Sequence, residues 1–239
     1  VNSLQQCYFE QLRTMLEPRL LVVFGVTQVF GLLAVIFMIV AAYHEKQSIP
    51  SRFLRFDFYV RFIWHPVMMS TGMVFLLGLS AVIYRVLTSM NHQHVKLVHA
   101  AVHGGGLALA LAGLTIAVQF KQELKLPHFT STHGLFGLIT VILFAVQWVI
   151  SIPVFLWPRA PLAIREPGLG VHVCAGIAVF FSAAVTSFTG LNMKSSDTKS
   201  VVTSYYKTAA FFYLFYVLLI FFMVTVKKYE RPAALSVNN

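Results

Sequence analysis

Residues 62–88 read FIWHPVMMSTGMVFLLGLSAVIYRVLT, with no Asp, Glu, Lys or Arg before Arg85. About 20 residues at 1.5 Å rise cross roughly 30 Å of hydrocarbon, so this stretch predicts a membrane-spanning helix. Five further apolar runs, at roughly 19–43, 95–119, 132–156, 171–191 and 206–227, meet the same length, the fifth being the shortest. Polar or Pro-bearing breaks separate them. The predicted fold is all-α, a polytopic membrane protein of six transmembrane helices. Residues 19–227 form the spanning domain, between an N-terminal segment (1–18) and a C-terminal tail (228–239).

Composition agrees. Of 239 residues, 58% are hydrophobic and 11% charged, with a mean hydropathy of +0.76. A soluble domain of this size cannot bury so much apolar surface, whereas a bilayer accepts it. The first 18 residues are mixed and polar, so no cleavable signal peptide is expected there. The chain opens on Val, which leaves room for an earlier segment. Cys7 and Cys174 are too far apart to suggest a disulfide framework or a zinc motif. The formal charge of +10 is spread along the chain. Lys and Arg divide evenly between the two membrane faces, so charge does not set the orientation. That spread suits anionic lipid headgroups or small anionic solutes and gives no nucleic-acid patch.

Four histidines, His65, His99, His133 and His172, stand at the openings of the second to fifth spans. Ionisable groups at membrane depth are costly and mark sites. Consecutive spans alternate in direction, so His65 and His133 share one face and His99 and His172 the other. Two imidazoles per face suit Fe, Cu or Zn. A structural zinc site wants four ligands, whereas two ligands on different helices leave room for a planar macrocycle. Gly72, Gly106, Gly137 and Gly176 return to the faces of the four histidines. They either make room for such a ring or allow close helix packing. His103, one turn after His99, could meet the same group, while His44, His92, His94 and His128 fall in loops. The competing reading is a haem-free proton or metal transporter whose histidines titrate. All acidic residues fall in loops or tails, which weighs against it.

Trp64-His65-Pro66-Val67-Met68-Met69 with Gly72-Met73 and Tyr84-Arg85 resembles the second helix of the cytochrome b561 family. Lys96-Leu97-Val98-His99-Ala100 resembles its third. Ser131-Thr132-His133-Gly134 with Gln147-Trp148 resembles its fourth, and Phe155 through Arg165 followed by His172 and Gly176 its fifth. Departures lie mostly on the outer face, where Ile63 replaces an Asn and Thr130 an aromatic. The resemblance implies a four-helix haem-binding core and two b-type haems, each held by two axial histidines. It implies electron flow from cytoplasmic ascorbate to an outer acceptor, a ferric chelate or monodehydroascorbate. Both termini would be cytoplasmic, so His99 and His172 would hold the cytoplasmic haem and His65 and His133 the outer one. It further implies a homodimer among membrane lipids, in the plasma membrane or an endomembrane such as a vesicle or lysosome. Lys96 and Arg165 match positions implicated in ascorbate binding, and Arg85 lies at the same face. For all three, anchoring to headgroups by snorkelling is the other reading.

Overall fold

The structure is a computed structural model that describes residues 3–50, 57–197 and 200–226, with side chains described from Pro18 onward except at 197 and 200. The tail at 228–239 lies outside the described residues. Six helices are long and apolar enough to cross a membrane. They are α1 (Ser3–Ser48), α2 (Asp57–Val86), α3 (His92–Glu123), α4 (Thr132–Leu156), α5 (Leu162–Asp197) and α6 (Ser200–Thr225). No strand occurs among the described residues.

Local chemistry sets where these helices start. Asn91 caps α3 by accepting from the Gln93 N–H (2.9 Å), and Ser131 caps α4 by accepting from the Gly134 N–H (3.1 Å). Pro66 falls in the first turn after a break at Ile63–Trp64, where its missing N–H costs nothing. Two π-helical stretches, Thr71–Leu76 in α2 and Ile152–Leu156 in α4, widen the helix, the second around Pro153.

Helix lengths depart from the sequence expectation. The fifth span, predicted the shortest, belongs to a helix of 36 residues that runs through Glu166-Pro167-Gly168. Pro167 sits little more than one turn inside, so it forfeits a single bond near a helix start. Helix α1 likewise continues through Pro18. His44 therefore lies within α1, and His92 and His94 open α3; only His128 stays in a turn. Glu45, expected in a loop, ends up in the last turn of α1. There Lys194 (2.5 Å) and the Tyr206 hydroxyl (2.6 Å) bind its two carboxylate oxygens.

Helices α2 to α5 form a ring in which each packs on its sequence neighbours and α2 closes against α5. Helices α1 and α6 pair along their length outside it, against α2 and α5. Tyr216 of α6 is fully buried there and donates to the Phe75 carbonyl at 2.6 Å. Leu21, Ile36, Ile142, Val149, Phe181 and Leu218 face outward. Each such residue favours hydrocarbon by about 0.3–0.6 kcal/mol at span centre, so the outer surface suits lipid.

Gly72 and Gly106 serve the seam between α2 and α3. A Cβ on Gly72 would lie 2.6 Å from the Gly106 carbonyl oxygen, and one on Gly106 would lie 2.9 Å from that of Gly72. Of the two readings of these glycines, helix packing is the one the backbone adopts.

Candidate functional site

The ring of α2–α5 has two ends. One, here the tail end, carries the α2–α3 and α4–α5 turns and the end of α6; the far end carries the other turns. His65 on α2 and His133 on α4 face each other across the far half, ring centroids 6.3 Å apart and planes at 86°. His99 on α3 and His172 on α5 do the same across the tail half, at 6.2 Å and 66°. Each pair joins diagonally opposed helices. His99 and His172 stand two to three turns inside their helices, because α3 and α5 begin earlier than the apolar runs do.

These distances fit one metal per pair. An imidazole–metal bond is about 2.0 Å, and the ring centre lies about 1.2 Å beyond the nitrogen, so trans ligands place their centroids roughly 6.3 Å apart. The tautomers fit as well. His65 donates from Nδ1 to the Gly113 carbonyl at 2.8 Å, His99 to that of Ser80 at 3.0 Å and His133 to that of Thr186 at 3.0 Å. His172 Nδ1 lies 3.0 Å from Ser151 Oγ. With every Nδ1–H committed, the four Nε2 lone pairs remain for a metal, and the acceptors raise their basicity.

The bracing is reciprocal. Helix α3 holds the ligand of α2, and α2 holds that of α3; α4 and α5 exchange the same service at opposite ends. Among the described residues no cluster of three or more His, Cys, Asp or Glu gathers as a metal site. A closed tetrahedral zinc site is therefore not built here, whereas a bis-imidazole iron in a planar macrocycle matches the donors.

The walls agree with that group. A cavity of about 370 Å³ opens beside His65 and His133, lined among others by Met69, Met73, Leu138, Val141 and Gly137. Gly190 presses on the far-end site, since a Cβ there would sit 2.5 Å from His133 Cε1. At the tail end, Tyr84 (5.2 Å) and His103 (4.5 Å) pack on the His99 ring and Phe155 (5.2 Å) on that of His172. His103 Nδ1 is buried without a hydrogen-bond partner.

Cations gather at the tail-end rim. Lys96 stands one turn outside His99, donates to the Phe155 carbonyl at 3.2 Å, and lies within electrostatic reach of Arg159 and Arg165. Arg165 Nε is buried with no hydrogen-bond partner. Both arginines are close enough to repel the Lys96 ammonium, so this rim carries a positive field. Arg85, at the same end, donates from Nη1 and Nη2 to the Val226 (2.9 Å) and Val224 (2.5 Å) carbonyls at the C-terminal end of α6.

Sequence reasoning overlooked Arg159, Gly190, Ser151 and the carbonyl acceptors. A carbonyl has no signature in the sequence, and Ser151 sits far from His172 along the chain.

Residues 64–197, the segment that supplies all four imidazoles, match the sequence profile of eukaryotic cytochrome b561. The chain belongs to the cytochrome b561 family. The cofactor that membership brings is haem b, in keeping with the donor geometry. Among its relatives is a lysosomal membrane ascorbate-dependent ferrireductase of Bos taurus, 36% identical over 135 residues, covering 56% of this chain and 51% of the relative. A plasma membrane ascorbate-dependent reductase of Xenopus tropicalis is 29% identical over 167 residues, covering 69% and 57%. An ascorbate-specific transmembrane electron transporter of Zea mays is 31% identical over 144 residues, covering 60% and 61%. The chain spans about half the length of these relatives, up to 61% for the maize protein.

Proposed function

We propose that this cytochrome b561 carries electrons singly across a membrane, from ascorbate at the tail end to an acceptor at the far end, a ferric chelate or monodehydroascorbate. The observation that carries the reading is the pair of imidazole couples, each at the spacing of two trans ligands on one iron. In this reading two haems b lie in the bundle, one between His99 and His172 and one between His65 and His133. Haem, when bound, supplies a one-electron ferric/ferrous couple.

The chain's own groups do the rest. His99 with His172, and His65 with His133, would each hold one haem iron, and with two imidazoles on the metal the chemistry it would supply is outer-sphere electron transfer and not oxygen activation. Lys96, Arg159 and Arg165 attract the ascorbate monoanion and hold it at the edge of the tail-end site. The Phe155 carbonyl pins the Lys96 ammonium over that edge. The apolar helices around both sites exclude water, so charge moves between fixed ligands that need little rearrangement. The tail end is the cytoplasmic side in this reading, and two copies pair in the bilayer, both by the family resemblance. The relatives' names supply the substrate class: two are ascorbate-dependent reductases and one an ascorbate-specific electron transporter.

The test is a reduced-minus-oxidised spectrum with haem quantified per chain, followed by reconstitution into vesicles loaded with ascorbate. Two low-spin haems per chain, and reduction of external ferric citrate that depends on internal ascorbate, are expected. One haem or none in carefully purified protein removes the two-centre reading, and absence of a Soret band returns the haem-free transporter.

A further inference from the structure

Three of the four imidazoles donate Nδ1–H to main-chain carbonyls, which no side-chain substitution removes. His172 differs. Its Nδ1 faces the Ser151 hydroxyl oxygen at 3.0 Å, one helix away on α4. That hydroxyl gives its own proton to the Gln147 carbonyl at 2.6 Å, which leaves its lone pairs toward the ring. The side-chain amide of Gln147 also comes near, with Nε2 at 3.5 Å from Nδ1. It is a donor there, spent on the His172 carbonyl at 3.0 Å, and cannot accept the imidazole proton. Ser151 is thus the acceptor for this N–H among the described residues.

An acceptor on the outer nitrogen of an iron-bound imidazole fixes its tautomer and raises its basicity, and a more basic ligand favours the ferric state. We infer that Ser151 is a positioning residue that orients His172 and sets the reduction potential of the tail-end centre, the one facing the donor. The inference rests on the two-haem reading above. It adds that His172 stands apart: His99 has the Ser80 hydroxyl at 3.1 Å but keeps the Ser80 carbonyl at 3.0 Å, whereas His172 relies on a replaceable hydroxyl without a main-chain acceptor beside it. The potential step between the centres is therefore open to adjustment at position 151 without altering any ligand.

The experiment is a redox titration of detergent-purified wild type, Ser151→Ala, Ser151→Thr and Ser151→Cys, followed in the visible spectrum and by low-temperature EPR. The tail-end component is assigned from a His133→Ala background. Loss of the acceptor in Ser151→Ala should favour the ferrous form of the tail-end centre by up to about tenfold. For one electron that is an upward shift of up to ~59 mV. The far-end centre should not move. Ser151→Thr should restore the wild-type value, and Ser151→Cys, a weaker acceptor, should fall between. Loss of the tail-end haem alone in Ser151→Ala, with retention in Ser151→Thr, also supports the assignment. Unchanged tail-end potential in Ser151→Ala, or equal shifts at both centres, overturns it. Wild type with fewer than two haems removes the parent reading instead, so the two failures are distinct.

Discussion

Gly190→Ala adds one methyl group at the far-end site. The new Cβ would lie 2.5 Å from His133 Cε1, 3.0 Å from Nδ1 and 3.2 Å from Nε2. Carbon atoms rest about 3.5–4.0 Å apart, so either the ring retreats by roughly 1 Å or α5 moves away. Helix α5 is tied by Lys194 to Glu45 at 2.5 Å and by His172 to Ser151 at 3.0 Å, which leaves the ring to yield. A retreat of that size carries the bond from His133 to the Thr186 carbonyl, now 3.0 Å, out of hydrogen-bond range. It is also about half the length of a metal–nitrogen bond. Overpacking of this kind costs about 1–3 kcal/mol, which at 1.4 kcal/mol per decade makes haem retention at this site roughly five- to 150-fold weaker. The assay is haem per chain by alkaline pyridine, with EPR to separate the two low-spin signals. Gly105→Ala and Gly170→Ala, where an added Cβ meets nothing within 4 Å, serve as controls. The far-end signal should fade in Gly190→Ala alone. Two haems with wild-type spectra in that variant would refute the steric argument.

The remaining expectations concern ligands, donor and seam. His65→Ala and His133→Ala should remove one spectral component, and His99→Ala and His172→Ala the other; a shared component for His65→Ala and His99→Ala would break the pairing. Lys96→Ala and Arg165→Ala should each raise the ascorbate concentration needed for haem reduction about five- to 150-fold, since hydrogen bonds to charged groups contribute about 1–3 kcal/mol. Lys46→Ala and Lys125→Ala should leave it unchanged, dithionite should reduce every variant fully, and wild-type ascorbate kinetics in both rim variants would make those residues headgroup anchors. Gly72→Ala should lower thermal stability in detergent by about 1–3 kcal/mol, because its Cβ meets backbone at 2.6 Å that cannot rotate away. An unchanged melting temperature would show that the α2–α3 seam is slack.

Spans and histidines were legible in the sequence for the same reason, namely that hydrocarbon tolerates few polar groups. Helix ends were not, because α5 begins ahead of its apolar run and passes through Pro167, and hydropathy marks only the apolar part of a helix. The role of Gly72 was ambiguous because a glycine spaced to face a ligand is also spaced to face a neighbouring helix. Arg85 carries the same charge whatever it binds, so its bonds to the Val226 and Val224 carbonyls were not legible either. The Nδ1 acceptors were hidden most deeply, being mainly carbonyls defined by the packing of another helix.

Because α2 and α3 each steady the other's imidazole, the hairpin they form leaves the ribosome as half of both centres, aimed but unpaired. Helices α4 and α5 arrive later as the complementary half. Each centre draws one ligand from each hairpin, so neither can mature until the second hairpin has begun to arrive. A chain cut between α3 and α4 would hold neither imidazole pair, and loss of a whole hairpin would be felt at both membrane faces.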